Sequence, residues 1–141
     1  MPLTLEQANA MIAGTCAAAS KNGLKPISVA ILDAGGHLIA FQRQDGSSNL
    51  RPQIAIGKAF GALAMGMSSR KIGEMAIERP SFIAALGSIA HGGVIPAAGG
   101  LLAASADGAL LGAIGVSGDT SDNDEVCALA GIEAAGLIVR A

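Results

Sequence analysis

An acidic cluster follows an uncharged, glycine-rich run, residues 112–118, in the last quarter of the chain. The cluster comprises Asp119, Asp122, Asp124 and Glu125. Carboxylates in the first turn of a helix complement the helix dipole, each by about 0.3–1 kcal/mol, and this accounts for most of the pattern. Binding of Mg²⁺ or Ca²⁺ is a weaker interpretation, because the spacing lacks the glycine and glutamate of an EF-hand loop. We assign no metal site, and Glu125 is left as a candidate acid or base.

Lys58 is the candidate partner of Glu125. It lies in an otherwise apolar segment of helical periodicity. A lysine in such a position either extends its amine to solvent or faces a pocket, where desolvation lowers its pKa. Its counter-ion would be Asp33, Glu125 or a bound carboxylate. In an enzyme, Lys58 and Glu125 would form a general acid–base pair acting on a small carboxylic acid by proton transfer or hydrolysis.

The two histidines of the chain are His37 and His91. Imidazole titrates near neutral pH, so either residue could act as a base or bind a heme iron. His37 follows a predicted hairpin turn, where a polar residue also has a structural explanation. His91 precedes two glycines at the end of an apolar segment, where a ligand could approach the backbone closely. It could equally hydrogen-bond a carboxylate or cap the preceding helix.

Two arginines, Arg43 and Arg51, flank the loop after the predicted hairpin. Guanidinium groups bind carboxylates through paired hydrogen bonds, so the pair would suit a dicarboxylate or the propionates of heme. Solvated loop arginines are the structural alternative. Together with Asp33, they complete the set of charged candidates for ligand binding.

Other chemistries receive little support from the sequence. Ser117 lacks the Gly-x-Ser-x-Gly elbow of a serine nucleophile, and Cys127 has no adjacent histidine. The glycines at the end of the apolar run precede an acidic helix start, which would repel a pyrophosphate. Cys16 and Cys127 have no zinc or disulfide spacing. We interpret them as buried apolar residues in a reducing cytoplasm, with a bridge between the first and last helices left open.

The composition predicts a single domain over residues 1–141 that assembles with copies of itself. Charged residues make up only 14% of the chain, against a usual value of roughly 25%. A surface so poor in charge leaves apolar area that a monomer would expose. The net charge of −2 and the aromatic content of 2% argue against a nucleic-acid partner. No signal peptide is visible, and glycines and a proline interrupt the uncharged stretch 81–106, so we expect a cytoplasmic protein without a membrane span.

Hydrophobic periodicity and turn residues predict ten elements in the order α-β-β-α-α-α-β-β-β-α. The predicted helices cover residues 4–22, 51–67, 69–78, 81–90 and 121–139, and the predicted strands cover 27–33, 37–42, 94–96, 101–104 and 110–117. Hairpins without alternating βαβ units indicate an α/β (α+β) fold with a five-stranded antiparallel sheet flanked by helices.

Three sequence blocks, in this order, resemble the GlcG/HbpS-like family, which is related to the C-terminal domain of PduO-type proteins. The blocks are Val29-Ala30-Ile31-Leu32-Asp33-Ala34-Gly35-Gly36-His37-Leu38-Ile39-Ala40-Phe41, Ile56-Gly57-Lys58-Ala59-Phe60-Gly61-Ala62 and residues 112–125. The resemblance implies a profilin-like α-β-α sandwich, assembly into dimers or larger oligomers, and heme binding in some members. Many members sit in operons for the catabolism of small organic acids or diols.

The chain departs from the family in two places. The first helix has no histidine, and Gly99-Gly100 is followed by two leucines where members often have Gly-Gly-x-Pro. The leading hypothesis is a small-ligand-binding protein with heme as its candidate ligand. The glycine-rich segment 92–100, including Gly99 and Gly100, would line the pocket, and Lys58, His91 and Arg51 would orient acidic groups. An enzyme using Lys58 and Glu125 is the alternative, and a structural subunit is a third possibility.

Overall fold

The computed structural model describes residues 2–140, which contain five helices and five strands. The helices are α1 (Leu5–Lys21), α2 (Arg51–Met65), α3 (Ser69–Glu78), α4 (Pro80–Leu86) and α5 (Ser121–Ala134). The strands are β1 (Ser28–Asp33), β2 (Leu38–Arg43), β3 (Gly100–Ala104), β4 (Leu110–Ser117) and β5 (Ile138–Arg140). The predicted mixture of helices with a five-stranded sheet is confirmed.

The sheet is antiparallel throughout, with the strand order β2-β1-β4-β3-β5. Its centre is the pairing of β1 with β4, which runs from Ser28 opposite Ser117 to Asp33 opposite Gly112. Both central strands are buried almost along their whole length, since helices cover both faces of the sheet. Strands buried on two sides read as continuous apolar runs, as these two do.

The helices form two layers around the sheet. One face packs against α1 and α5, and its cluster includes Val29, Ile31, Ile114 and Val116 of the sheet. The opposite face packs against α2 in a smaller cluster of Leu32, Leu102 and Ala113 with Ala59 and Ala62. This arrangement is the profilin-like α-β-α sandwich that the resemblance implies.

Glycines bring neighbouring elements of the fold into close contact. A Cβ on Gly131 of α5 would lie 2.6 Å from the Met11 carbonyl oxygen of α1. A Cβ on Gly115 of β4 would overlap the Ala55 carbonyl oxygen of α2. These helices therefore lie at backbone contact distance from their neighbours, which a side chain at either position would prevent.

Two predicted elements are wrong. Residues 94–96, predicted as a strand, have no regular structure, and β5 takes the place of the fifth strand instead. The last helix does not extend to Val139, because α5 ends at Ala134 and Gly136 adopts a positive φ of 72°. Such a residue commonly ends a helix. The chain then returns to pair with the edge of β3, with Ala103 opposite Val139.

The starts of α1 and α5 are formed by local capping residues, whereas α4 ends at Leu86, short of its predicted end at residue 90. Thr4 and Gln7 form a capping box at the start of α1. At α5 the capping residue is Thr120, whose side chain accepts a hydrogen bond from the Asn123 backbone N–H.

Within residues 2–140, no helix is both long and apolar enough to cross a membrane.

Candidate functional site

His91 lies on the wall of an apolar cavity of about 290 Å³, between the C-terminal part of α2 and the segment that follows α4. The remaining wall residues are Phe60, Ala64, Met65, Leu86, Ile89, Ala90 and Val94. Among these side chains only His91 can titrate. The imidazole is exposed and makes no hydrogen bond to any residue in the described range 2–140. An imidazole without a partner on an apolar wall is available to a ligand.

The Phe60 ring divides this cavity from the turn between β1 and β2. A Cβ on Gly92 would overlap the ring, and a Cβ on Gly36 would lie 3.0 Å from its Cε2 atom. A second cavity of about 140 Å³ lies on the turn side of the ring and shares Phe60 and Ala64 with the first. Because both glycines lack a side chain, an aromatic ring fits between two loops and forms part of both cavities.

Lys58 is buried away from both cavities, with 2% of its surface exposed. Its Nζ atom donates to the Val116 carbonyl oxygen at 2.9 Å and to Asp124 Oδ2 at 3.1 Å. Asp124 is 1% exposed, and its Oδ1 atom accepts the Asp119 backbone N–H at 3.0 Å. The ion pair thus connects α2 with the start of α5 at the end of β4.

Burial governs the titration of this ion pair. Desolvation lowers the pKa of Lys58, against the charge and hydrogen bond of Asp124, and the nearby Arg51 lowers it further. Desolvation likewise raises the pKa of Asp124. Each charge is expensive to bury alone and is retained because the other neutralises it. The arrangement has the features of a structural ion pair.

The structure does not bring Lys58 and Glu125 together. Instead, the Nε–H group of Arg70 donates to both carboxylate oxygens of Glu125, at 3.1 and 3.2 Å. The same arginine bonds Asp122 Oδ1 through Nη2 at 2.5 Å, so the outer carboxylates of the acidic cluster form an exposed network. Adjacent positions on a helix point about 100° apart, which places Asp124 in the interior and Glu125 at the surface.

Arg51 and Arg43 do not share a site with His91. Arg51 begins α2, donates from Nη1 to Ser117 Oγ at 3.0 Å, and lines a separate cavity of about 190 Å³. Arg43 ends β2, is exposed, and makes no side-chain hydrogen bond within residues 2–140. The structure therefore does not bring Lys58, His91 and Arg51 together around one pocket.

Asp33 and His37 contact one another across the β1–β2 turn. His37 Nδ1 lies 3.1 Å from Asp33 Oδ1, and the same oxygen accepts the backbone N–H groups of Gly35 and His37. These donors lower the pKa of Asp33, and the backbone N–H of His37 has the largest effect. The His37 side chain is 80% exposed. Asp33 thus stabilises the turn and is not the counter-ion of Lys58.

Gly99 and Gly100 lie beneath Lys58, not on a cavity rim. A Cβ on Gly99, which has a φ of 128°, would lie 2.8 Å from Lys58 Nζ. A Cβ on Gly100 would overlap the Lys58 carbonyl oxygen. Of the segment 92–100, Val94 is the residue that lines the cavity of His91.

Asp124 could have been found in the sequence. The buried positions of α5 are Asp124, Cys127, Ala128, Gly131 and Ile132, which recur at the spacing of one helix face. A carboxylate at the head of an apolar stripe is a signal for a buried partner. The wall residues Phe60, Met65 and Ile89 had no comparable signal, since they come together only when α2 meets the segment after α4.

Neither the cysteines nor the acidic side chains form a further centre in the described part of the chain. Cys16 and Cys127 are free thiols, and Cys127 is fully buried. No group of three or more His, Cys, Asp or Glu side chains between residues 2 and 140 is arranged to hold a metal ion.

Comparisons with known proteins agree on one relationship. A family model described as "Haem degrading protein HbpS-like" matches residues 3–133. No curated protein sequence matches the chain significantly.

Several solved structures share the fold. A double mutant of HbpS from Streptomyces reticuli is 31% identical, with a TM-score of 0.80 over 94% of this chain and 86% of that one. A PduOC:heme complex is 23% identical, with a TM-score of 0.87 over the whole of both chains. The Klebsiella pneumoniae protein ORFY is 24% identical, with a TM-score of 0.84 over 95% of this chain and 90% of that one.

Proposed function

The chain belongs to the HbpS-like family, and from this membership we propose that it binds heme, with His91 as the iron ligand in the apolar cavity beside Phe60. The description of the family as haem-degrading and the heme complex of PduOC, which has the same fold, support heme as the ligand. The lining of the cavity supports His91 as the ligand, because its imidazole has no hydrogen-bond partner among residues 2–140 and lies on an apolar wall.

The wall residues fit the chemistry of a porphyrin. An imidazole nitrogen is a common axial ligand of heme iron, and apolar side chains suit the face of the ring. Phe60 offers an aromatic surface, and Ile89 stands 74% exposed at the rim, where it can cover a flat ligand. When bound, heme would supply the redox chemistry of its iron.

The size of the cavity limits how much of such a ligand it could hold. A volume of about 290 Å³ is near the lower limit of roughly 300–1,000 Å³ found for ligand pockets. Of the wall residues, His91 would hold the iron and Phe60 would contact the ring. Neither Arg51 nor Arg43 contributes to this wall, so neither would hold the propionates.

Titration of the purified protein with hemin tests the proposal. We expect a saturable Soret shift with one heme per chain in wild type and in His37→Ala, and its loss in His91→Ala. His37→Ala is a matched control, because it removes the other imidazole of the chain, which is held by Asp33. Loss of the shift in His37→Ala alone would overturn the role of His91. Non-saturating binding that neither substitution changes would overturn heme as the ligand.

No arrangement of residues favours the enzyme alternative over ligand binding. Its acid–base pair is not formed, because Lys58 is bonded to Asp124 and Glu125 to Arg70. A base that catalyses proton transfer must reach its substrate within hydrogen-bond distance. Lys58 is buried in contact with Gly99 and lines none of the cavities described above.

Self-association is the second part of the proposal. Large apolar side chains stand at the surface, among them Ile77 at 84% exposure and Leu50 at 64%. Such residues, on a chain with few charges, favour contact with another copy. Light scattering at several protein concentrations tests this, and a monomeric mass at all of them would overturn it.

A further inference from the structure

A cationic cavity lies at the end of β4, apart from the cavity of His91. Its volume is about 190 Å³, and Lys25, Arg51, Ser47, Ser48 and Gly118 contribute to its wall. The two cavities have no wall residue in common. Both charged side chains on the wall are cations.

Arg51 is held in place without being neutralised. Its Nη1 atom donates to the hydroxyl of Ser117, a fully buried residue, at 3.0 Å. No carboxylate of residues 2–140 lies within ion-pair distance of its guanidinium group. A guanidinium has five N–H donors, so most of them remain available to a ligand.

Lys25 contributes the second charge from a fixed position in the backbone. Its backbone N–H donates to Asp119 Oδ2 at 2.9 Å, which anchors the segment that precedes β1. The ammonium group is exposed and forms no ion pair within the described range. The cavity thus has one half-buried guanidinium and one solvated ammonium on its wall.

Asp119 is close enough to Lys25 for the lysine's charge to contribute, after its hydrogen bonds, to the low pKa of the Asp119 carboxyl, but no acidic side chain lies on the cavity wall. Asp119 accepts hydrogen bonds from Lys25, Thr120 and Asn123 through its two oxygens, and is not a wall residue. Asp45 lies in the loop after β2 and does not contribute to the wall either. An anion would therefore meet two positive charges on the wall and no carboxylate.

We propose that this cavity binds a small oxyanion, with the guanidinium of Arg51 as the principal donor and Lys25 as the second charge. Arginine binds carboxylate and phosphate oxygens through paired hydrogen bonds, and lysine adds a mobile positive charge. The volume is below the roughly 300–1,000 Å³ of drug-sized ligand pockets. The ligand is therefore a carboxylate or phosphate of a few heavy atoms.

The charge distribution around Arg51 gives an oxyanion a further advantage. Arg51 is close enough to the buried Lys58 to lower the pKa of its amine, although burial is the larger cause. An anion on Arg51 would offset this repulsion. Binding is then expected to stabilise the folded protein beyond its direct contacts.

Calorimetric titration of the heme-free protein with acetate, malonate and inorganic phosphate, at constant ionic strength, tests the proposal. We expect saturable binding of at least one of these anions and none of chloride. Tighter binding of the carboxylates or of phosphate identifies which oxyanion the cavity prefers, and either result supports the proposal. Heat changes equal to those of chloride for all three anions would overturn it.

Variants locate the binding. Lys25→Gln removes an exposed charge that makes no ion pair in the described range, and we expect about a two- to fivefold weaker affinity, as for one exposed charged contact. Arg51→Lys keeps the charge but loses the paired donors, and we expect a larger loss. Lys21→Gln, which removes an exposed lysine at the end of α1, is the charge-matched control and should bind as wild type.

Two outcomes would contradict the assignment to this cavity. An equal loss of anion affinity in Lys21→Gln and Lys25→Gln would show that binding depends only on the net charge of the protein. Unchanged binding in a folded Arg51→Lys variant, with folding checked by circular dichroism, would exclude Arg51 as the donor. The inference does not depend on heme, since the titration uses heme-free protein and none of the three variants alters a residue on the wall of the His91 cavity.

Discussion

Lys58 Nζ lies 3.1 Å from Asp124 Oδ2, and both side chains are almost fully buried. The two residues belong to α2 and α5, which pack on opposite faces of the sheet. They meet beyond the end of β4, where Lys58 also binds the carbonyl oxygen of Val116. A buried ion pair therefore connects the two helical layers beyond the end of β4.

Removing one charge of this pair is expected to destabilise the fold strongly. In Lys58→Met the carboxylate of Asp124 remains buried without its partner, and a loss of about 3–5 kcal/mol is typical of such a change. Urea unfolding followed by circular dichroism measures it. The double variant Lys58→Met/Asp124→Leu, which removes both charges, should be more stable than the single one. A loss below about 1 kcal/mol in Lys58→Met would contradict the structural role.

Gly115→Ala is expected to disrupt the contact between α2 and β4. The added Cβ would overlap the carbonyl oxygen of Ala55, and forcing atoms into a packed interior costs about 1–3 kcal/mol or more. Gly87→Ala is the matched control. Its φ of −59° is helical and its Cβ would lie 3.6 Å from the nearest atom, so it should be neutral or slightly stabilising. Thermal unfolding compares the two variants, and equal stabilities would contradict the packing.

Asp119 is expected to make stability depend on pH under acidic conditions. Hydrogen bonds from the side chain of Asn123 and from the backbone of Lys25 and Thr120 lower its pKa from 3.8 to about 2. The folded protein thus binds this proton less readily than the unfolded chain. The stabilisation is present above about pH 3.8 and is lost as the pH falls towards 2.

Urea midpoints between pH 6 and about 2 check this expectation. Asp119→Asn should be less stable than wild type at neutral pH and should lose less stability on acidification. Asp45→Asn, which removes an exposed carboxylate without a hydrogen bond in the described residues, is the control. If Asp119→Asn kept the pH profile of wild type, the hydrogen bonds to Asp119 would not be the cause.

The two thiols are expected to differ in their reaction with a disulfide reagent. Burial raises the pKa of Cys127 to about 11 and also raises that of Cys16, which is only partly buried. Because the thiolate is the reactive form, Cys16 should react slowly at pH 8 and Cys127 only after unfolding. Absorbance of the released thiolate follows both, and Cys16→Ser should abolish the reaction of the folded protein. Fast reaction of both thiols would contradict the burial of Cys127.

Local signals predicted most of the helices and strands, and failed where two segments competed for one partner. The free edge of β3 could have paired with residues 94–96 or with residues 138–140, since both segments are short and begin with two apolar β-branched residues. Gly136 decides the outcome, because its positive φ ends α5 and directs the chain back to the sheet. Helical periodicity continued through this position and so indicated a longer helix.

The candidate site was less accessible to prediction because it depends on side-chain direction. The sequence identified His91 and Lys58 as unusual residues, but Lys58 is buried in an ion pair and His91 lines a cavity elsewhere. The sequence analysis named Glu125 as the partner of Lys58, whereas the residue that pairs with Lys58 is the adjacent Asp124. The apolar residues beside His91 come from α2, α4 and the segment after it, and their proximity is a property of the tertiary structure.

The pairing of β1 with β4 has a consequence for how the protein is made. When β1 leaves the ribosome, its partner strand β4 has not yet been translated. Likewise, when α1 leaves the ribosome, α5, which packs against it, has not yet been translated. At a synthesis rate of about 5–20 residues per second, β1 and α1 wait several seconds with apolar surface uncovered. We therefore expect chaperones that bind nascent chains to contact this apolar surface until α5 has been synthesised.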